Sequence, residues 1–311
     1  MAKILITESV HPIGPELLTA AGHTVVYANR DMDVIRREIV DADAVLVRII
    51  ELPGSLLATA KNLKIVSKHG VGYDNIDLDY CKSHGIAVTI TPNANSLSVA
   101  EHAFTLMLTL AKNIIPVSNE YRTVGFAAKN HAPGIEMTGK TLGLIGMGRI
   151  GKHILHMCRD GLDMHVIVYD PYISEVPEGV ERVDDLSELL RRADVVTLHC
   201  LLTDETRKLI DRERLALMKP TALLINCARG PIVDEAALIE ALESGRLAGA
   251  GLDVTDPEPV APDSPLFKLP NVIVTPHYAP TTVESATRVS KIAAENINAV
   301  LAGQEPVGRI V

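Results

Sequence analysis

The stretch LIGMGRIG, Leu144 to Gly151, decides the fold of this 311-residue chain. Its glycines Gly146, Gly148 and Gly151 have the G-x-G-x-x-G spacing of a dinucleotide-binding turn. The first two let the backbone turn tightly and approach a pyrophosphate, and the third lets a helix pack closely on the strand. We therefore predict a strand before Gly146 and a helix from Arg149, whose free N–H groups bind phosphate.

The next apolar run, MHVIVYD, ends at Asp170. An acidic residue at the end of the second strand of such a unit binds the ribose diol, which favours NAD over NADP. The alternative is a glycine-rich turn that binds no ligand, with Asp170 acting as a helix cap. The strand–turn–helix–strand context favours the nucleotide site.

Short β-rich runs alternate with helical segments on both sides of this turn, which predicts an α/β fold with two doubly wound parallel sheets. The runs before it are KILIT, TVVYA, AVLVR, LKIVS and GIAVT, and those from it onward are KTLGLIG, MHVIVYD, ADVVTLHC, TALLINCA, LAGAGLDV and NVIVTP. A final helix at about Val283–Ala302 can cross back to the first domain. We predict one domain from residues 1–97 and 284–311, with residues 98–283 inserted as the second.

The stretch NSLSVAEHAFTLMLTLAKNI predicts a long helix between the two series. Ser98 and Glu101 have the spacing of a capping box. Apolar residues run nearly all round this helix, so we expect it to be buried between domains or subunits. We interpret the glycine-rich stretch from Val124 to Lys140 as an irregular loop.

Composition excludes several classes of protein. A net charge of -9 without long runs of Lys or Arg argues against a nucleic-acid partner. The four scattered cysteines are typical of free thiols in a cytoplasmic protein, and their spacing predicts no metal site. We expect the N-terminal stretch MAKILITESV to begin a strand and not to be a signal peptide, and no apolar run approaches the roughly 20 residues that span a bilayer.

Polar side chains follow three predicted strands of the second series. Arg229 follows TALLINCA, Glu258 lies in the loop after LAGAGLDV, and His277 follows NVIVTP. Arginine offers a planar fork for a carboxylate, and histidine exchanges protons near neutral pH, in a form that a neighbouring carboxylate stabilises. Singly, Arg229 could pair with Asp234, Glu258 could be a solvated acid and His277 could cap a strand end. Together they suggest a hydride-transfer site at the sheet edge where α/β folds bind ligands.

The chain resembles the D-isomer-specific 2-hydroxyacid dehydrogenases, and most of all their short phosphoglycerate dehydrogenases. The resemblance covers most of the chain and is carried by HGVGYDN, PNANSLSVAEHAFTLML, GKTLGLIGMGRIGKHI, VYDPY, INCARGPIVDEAALIEALESGRLAGAGLDVTDPEP and NVIVTPHYA. It implies a Rossmann NAD domain inserted into a flavodoxin-like substrate domain. It also implies a homodimer that uses the helix near Glu101, and no C-terminal regulatory domain.

The resemblance also implies residue roles. Arg229 holds the substrate carboxylate and keto oxygen, His277 is the acid/base and Glu258 is its paired carboxylate. The residues implied to bind the cofactor are Gly146, Gly148, Arg149, Ile150, Gly151, Asp170, Cys200, Cys227, Ala228 and Asp253, with Asp253 on the nicotinamide carboxamide.

On the substrate side, the backbone N–H groups of Val71 and Gly72 are implied to bind the carboxylate. Arg48, at the end of AVLVR, matches an arginine placed near the substrate phosphate, and Lys68 could add a second cation. The alternative is that Arg48 pairs with Glu51 at the surface and that Lys68 is solvated.

Departures from the family pattern put the substrate in doubt. The chain has no Trp, Leu201 stands where relatives usually have proline, and Tyr278 and Pro280 replace small residues beside His277. The leading expectation is interconversion of 3-phosphoglycerate and 3-phosphohydroxypyruvate with NAD. The alternatives are glyoxylate or hydroxypyruvate reduction and, without catalysis, an NAD-sensing corepressor-like role.

Overall fold

The computed structural model describes residues 1–311, which divide into two compact units. The first unit comprises Met1–Asn95 and Pro280–Val311, and the second comprises Ser96–Ala279. The second unit is therefore inserted between the two parts of the first. From the sequence we expect the domain boundaries after residues 97 and 283, and the structure places them after Asn95 and Ala279. No helix has the length and apolar character needed to cross a bilayer.

Twelve strands and eleven α-helices make up the two units. The strands are β1 Lys3–Ile6, β2 Thr24–Tyr27, β3 Ala44–Val47, β4 Ile65–Lys68, β5 Ala87–Thr89, β6 Thr141–Ile145, β7 His165–Tyr169, β8 Val180–Arg182, β9 Val195–Leu198, β10 Leu223–Asn226, β11 Gly249–Leu252 and β12 Val272–Val274. The helices are α1 Ile13–Ala20, α2 Met32–Glu38, α3 Gly54–Leu57, α4 Leu78–Ser83, α5 Ser96–Ala111, α6 Ile114–Val124, α7 Arg149–Leu162, α8 Leu186–Arg192, α9 Arg212–Leu217, α10 Glu235–Glu243 and α11 Val283–Leu301.

The first unit is a five-stranded parallel sheet in the order β2-β1-β3-β4-β5. This is the flavodoxin-like order that the sequence predicts. Helix α11 packs on α1 and β4, and its Ala293 carbonyl accepts a hydrogen bond from the Ser67 hydroxyl at 3.0 Å. The helix after the last strand therefore completes the core of the first unit, as expected.

The second unit is a seven-stranded parallel sheet in the order β12-β11-β10-β9-β6-β7-β8. Helices α5 and α7 cover one face, and α8, α9 and α10 cover the other. The chain order reverses between β6 and β9, and open α/β sheets bind ligands at the carboxyl ends of strands beside such a switch point. The predicted fold class, two doubly wound parallel-sheet domains, is confirmed.

The prediction for the helix before the second sheet was wrong in detail. Helix α5 begins at Ser96, so Ser98 lies buried within its first turn and does not cap it. Several residues able to cap a helix stand close together in NSLS, and local pattern cannot choose among them. The helix also ends at Ala111, because Asn113 adopts a left-handed conformation with φ 51° before α6. The stretch from Val124, interpreted as irregular, contains a 3₁₀ segment at Gly125–Asn130.

Candidate active site

The glycine turn after β6 has the geometry that the fingerprint predicts. Gly146 has φ 90°, and a Cβ there would lie 2.8 Å from the backbone nitrogen of Cys200. A Cβ on Gly151 would lie 2.3 Å from the Gly146 carbonyl oxygen. At Gly148, in contrast, a Cβ would meet no protein atom within 4 Å. The turn therefore packs against other backbone atoms at Gly146 and Gly151. At Gly148 it leaves open space, on the side that we expect to face a pyrophosphate.

Helix α7 starts directly after this turn. Gly148 is its N-cap and has no side chain to satisfy the first N–H groups. The N–H groups of Arg149, Ile150 and Gly151 lie in the first turn, where a helix offers them no internal partner. Unsatisfied donors and the positive end of the dipole suit a phosphate. These residues therefore fit the diphosphate of a dinucleotide.

Asp170 lies beside the same turn. Its Oδ2 accepts a hydrogen bond from the N–H of Met147 at 2.9 Å, and its Oδ1 accepts one from the N–H of Tyr172 at 3.0 Å. A turn rather than a helix follows Asp170, so the alternative reading as a helix cap is wrong. The carboxylate is held next to the glycine turn, where we expect it to bind the ribose.

The end of β10 carries Arg229. The Asn226 amide accepts a hydrogen bond from the Ala228 N–H at 3.0 Å and donates one to the Arg229 carbonyl at 2.9 Å. This buried side chain closes the turn Cys227–Ala228 that leads to the arginine. Asp234, the suggested partner of Arg229, pairs with Lys208 at 3.0 Å and caps α10.

His277 and Glu258 are brought together from two strand ends. The Nδ1 of His277 lies 2.7 Å from Oε1 of Glu258, and their side chains are 30% and 36% exposed. Glu258 is therefore more than a solvated acid, and His277 is more than a cap at the end of a strand. Because the carboxylate occupies Nδ1, the Nε2 atom remains for proton exchange with a ligand.

The backbone of His277 is held in an uncommon conformation. Its φ is 52°, a left-handed value that non-glycine residues adopt only where the surroundings impose it. The Asp253 carboxylate, 1% exposed, accepts hydrogen bonds from the N–H groups of Tyr278 at 2.7 Å and Ala279 at 2.8 Å. The Asp253 carbonyl accepts the His277 N–H at 2.8 Å. Asp253 therefore holds the turn that presents His277, a role that the sequence did not predict.

His102 of α5 supports the same turn and was also missed. Its Nε2 lies 3.0 Å from the Thr275 hydroxyl and 3.5 Å from the Asp253 carboxylate. Its ring meets that of Tyr278 edge-on, with centroids 6.1 Å apart. The sequence signal that could have indicated this network is a histidine, His102, within the mostly apolar helix α5. Tyr278, the departure from the family, thus packs against this support and is 52% exposed.

His199, Cys200 and Cys227, at the ends of β9 and β10, are uncharged. Burial lowers the pKa of His199 to about 3, and its Nε2 is hydrogen-bonded to the Thr197 hydroxyl at 2.8 Å. Burial also raises the pKa of the Cys200 thiol to about 11 and that of Cys227 well above its ordinary value. These groups therefore add no charge at the carboxyl ends of β9 and β10.

In the first unit, Arg48 and the loop of Val71 and Gly72 are the predicted substrate groups. The N–H groups of Val71 and Gly72 make no hydrogen bond within the protein, and both residues are partly exposed. The Arg48 guanidinium does not pair with Glu51 and donates to the Ser9 carbonyl at 3.0 Å. Burial, together with the nearby charge of Arg48, lowers the pKa of His69 to about 3. Val47 pairs with Lys68 across β3 and β4, and the His69 N–H donates to the Val47 carbonyl at 2.8 Å, so Arg48 and this loop follow neighbouring strand ends.

Lys68 is neither solvated nor a second free cation. It is 7% exposed, and its Nζ donates to the carbonyl of Arg48 and, at 2.5 Å, to the Asn75 amide oxygen. A buried ammonium needs such partners because desolvation is costly. The alternative of a solvated Lys68 is therefore wrong.

Comparison with known proteins places this geometry in a family. The family model described as "D-isomer specific 2-hydroxyacid dehydrogenase, NAD binding domain" matches residues 104–279. The chain is 42% identical over 98% of its length to D-3-phosphoglycerate dehydrogenase of Methanocaldococcus jannaschii, of which it spans 58%. It is 38% identical to glyoxylate reductase of Thermofilum pendens, covering 98% of this chain and 93% of that protein.

A solved structure agrees with these sequence relatives. The TT0316 protein of Thermus thermophilus superposes with a TM-score of 0.91 at 34% identity, covering 99% of this chain and 100% of that one. The chain spans little more than half the length of the phosphoglycerate dehydrogenase above, but nearly the whole length of the glyoxylate reductase. The chain belongs to the D-isomer-specific 2-hydroxyacid dehydrogenase family.

Proposed function

We propose that this protein interconverts a small D-2-hydroxy acid and its 2-keto acid with NAD. The observation that supports this best is the His277–Glu258 pair, 2.7 Å apart at the strand ends that also carry Arg229. A carboxylate-held imidazole can protonate a keto oxygen, and a guanidinium at the same edge of the sheet can bind the adjacent carboxylate. The open glycine turn at Gly148 supports binding of the dinucleotide.

Each residue has a separate task in reduction. Bound NADH would supply the hydride to the keto carbon. Arg229 holds the substrate carboxylate and polarises the keto oxygen, while the Nε2–H of His277 gives that oxygen its proton. Glu258 keeps the ring oriented and stabilises the imidazolium form. The N–H groups of Val71 and Gly72 offer further donors to the carboxylate.

We infer that the substrate has a second anionic group, and that it is 3-phosphohydroxypyruvate in the reductive direction. Arg48 supports this, because it follows β3 at the same edge of the sheet as the loop of Val71 and Gly72, which follows β4. Six relatives with at least 39% identity are named D-3-phosphoglycerate dehydrogenase, among them that of Archaeoglobus fulgidus. Glyoxylate or hydroxypyruvate is the alternative, favoured by the glyoxylate reductase that matches over nearly its whole length.

The proposed activity is tested by NADH oxidation with 3-phosphohydroxypyruvate, hydroxypyruvate and glyoxylate. We expect turnover of all three and the highest kcat/KM for the phosphorylated acid. A preference for glyoxylate would replace the phosphoglycerate assignment within the same class. NADH binding without oxidation of any substrate would instead favour a corepressor-like role.

The cofactor preference gives a prediction at Asp170. Its carboxylate would accept hydrogen bonds from the ribose diol and repel a 2′-phosphate. We expect wild type to have a higher kcat/KM with NADH than with NADPH, and Asp170→Ala to lower the ratio of these two values. Asp160, in the last turn of α7 at the end away from the glycine turn, provides a matched control, since Asp160→Ala should leave the ratio unchanged. Equal use of both cofactors by wild type would contradict the placement of Asp170.

We propose that the chain forms a homodimer through α6 and the segment after it, adjoining the helix of Glu101. Helix α6 has no buried residue, and Ile114, Tyr121 and Phe126 are 54%, 59% and 73% exposed. Large apolar side chains that are exposed close together in the chain are consistent with an interface. Light scattering should show a dimer that Phe126→Glu dissociates, whereas Phe267→Glu, at a residue 54% exposed outside this surface, should not. A monomeric wild type would refute the proposal.

We also propose a cytoplasmic location and a small acid as the partner, rather than a nucleic acid or a membrane. All four cysteines are free in the structure, which suits a reducing compartment. The acidic net charge of -9 disfavours binding to nucleic acid. Fractionation of cells that express the tagged chain would test the location.

A further inference from the structure

The segment Arg48–Ile50, just after β3, is anchored by a buried carboxylate. Glu8 is 2% exposed. Its Oε2 accepts the N–H of Arg48 at 2.7 Å, and its Oε1 accepts those of Ile49 at 2.8 Å and Ile50 at 3.2 Å. Three successive N–H groups that converge in this way form a site for an anion. Here the protein fills that site with its own side chain.

Two more buried side chains hold the carbonyl groups of the same segment. Asn75 donates to the Ile50 carbonyl at 2.7 Å, and the Lys68 Nζ donates to the Arg48 carbonyl. Both side chains are 7% exposed and bonded to each other. The backbone on which Arg48 stands is therefore fixed from two sides.

The residue after Glu8 fixes the guanidinium itself, since Nη1 of Arg48 donates to the Ser9 carbonyl at 3.0 Å. Glu8 and Ser9 thus hold the backbone and the head group of the same arginine. A buried carboxylate is costly unless it is well hydrogen-bonded, and Glu8 accepts a fourth bond from the Thr7 hydroxyl at 2.7 Å. Because Glu8 occupies the N–H groups, a substrate anion must be bound by the guanidinium rather than by this backbone.

We propose that Glu8 is a positioning residue that sets Arg48 for the second anionic group of the substrate, and so determines selectivity between phosphorylated and unphosphorylated 2-keto acids. The inference rests on the proposed function. Glu8 acts through Arg48 and has no part in hydride or proton transfer. Loss of the Glu8 carboxylate should therefore raise KM for the phosphorylated acid and leave kcat for the unphosphorylated acid unchanged.

The test is a double-mutant cycle of Glu8→Gln and Arg48→Ala, with 3-phosphohydroxypyruvate and hydroxypyruvate as substrates. The Glu8→Gln change keeps the side-chain volume but replaces one acceptor oxygen by an NH₂ group, which cannot accept an N–H. We expect KM for 3-phosphohydroxypyruvate to rise about 10-fold, while kcat for hydroxypyruvate changes less than about 2-fold. In the Arg48→Ala background, Glu8→Gln should add almost nothing, as coupled residues do not act additively.

Asp43→Asn is the matched control, because Asp43 accepts the Lys3 N–H at 2.8 Å at the opposite end of β3. It should leave the selectivity unchanged. If Glu8→Gln does not fold, Thr7→Val removes one donor to the same carboxylate and should shift selectivity in the same direction by a smaller factor.

The outcomes separate the two proposals. The positioning role alone is overturned if Arg48→Ala reduces activity selectively with the phosphorylated acid and Glu8→Gln does not. It is also overturned if Glu8→Gln keeps its full effect on KM in the Arg48→Ala background. If Arg48→Ala affects both substrates equally, the proposed phosphate recognition fails and this inference fails with it.

Discussion

His277→Ala is expected to lower kcat for 2-keto acid reduction by about 10²–10⁴-fold, the usual contribution of general acid catalysis. The imidazole Nε2 is the proton donor in the proposed reaction, since Nδ1 is 2.7 Å from Glu258. NADH affinity, measured by fluorescence titration, should be unchanged. His165→Ala is the control, because His165 is exposed at the amino end of β7, away from the carboxyl ends of the strands. A His277→Ala enzyme within about 3-fold of wild type would remove His277 from the mechanism.

Glu258→Gln tests the pair in a different way. The carboxylate holds the ring through Nδ1 at 2.7 Å, and an amide in its place carries no negative charge and can present an NH₂ group to the ring instead of an acceptor oxygen. We expect Glu258→Gln to lower kcat for reduction by about 10- to 100-fold, as the loss of a residue that orients a reacting group does. NADH affinity, measured by fluorescence titration, should be unchanged. A Glu258→Gln enzyme with the kcat of wild type would exclude Glu258 from the mechanism, although it lies beside the ring.

The fold and the polar strand ends could be predicted because their signals are local. Alternating apolar runs predict both parallel sheets, and the spacing of Gly146, Gly148 and Gly151 places the phosphate turn after β6. Asp170, at the end of β7, follows from the same unit. The pairing of His277 with Glu258 rested on the resemblance, since 18 residues separate them in the sequence.

The residues that hold these groups could not be predicted, because their partners are distant in sequence. Asp253 bonds to the turn of Tyr278, and Glu8 bonds to a segment that begins at Arg48, 40 residues later. No periodicity or local motif marks such contacts. The beginning of α5 was missed for a different reason, since Ser96 and Ser98 are equally suited to a helix start.

Arg48→Ala is expected to lower kcat/KM for 3-phosphohydroxypyruvate by about 10- to 100-fold, as the loss of roughly 1.4–2.7 kcal/mol implies. The reason is that a charge-assisted hydrogen bond to a phosphate contributes about this much. With hydroxypyruvate and glyoxylate the loss should be small, because neither carries a group for this guanidinium. Arg36→Ala, on the exposed surface of α2 in the same unit, controls for the loss of a positive charge and should alter none of the three values.

The comparison among the three acids also decides how far the phosphoglycerate assignment holds. A selective loss with the phosphorylated acid requires that Arg48 meets the phosphate, because the carboxylate and keto groups are common to all three substrates. Equal losses would mean that Arg48 acts on the shared part of the substrate or on the loop of Val71 and Gly72. That result, or a wild type without preference for the phosphorylated acid, would leave a 2-hydroxyacid dehydrogenase whose substrate is one of the smaller acids.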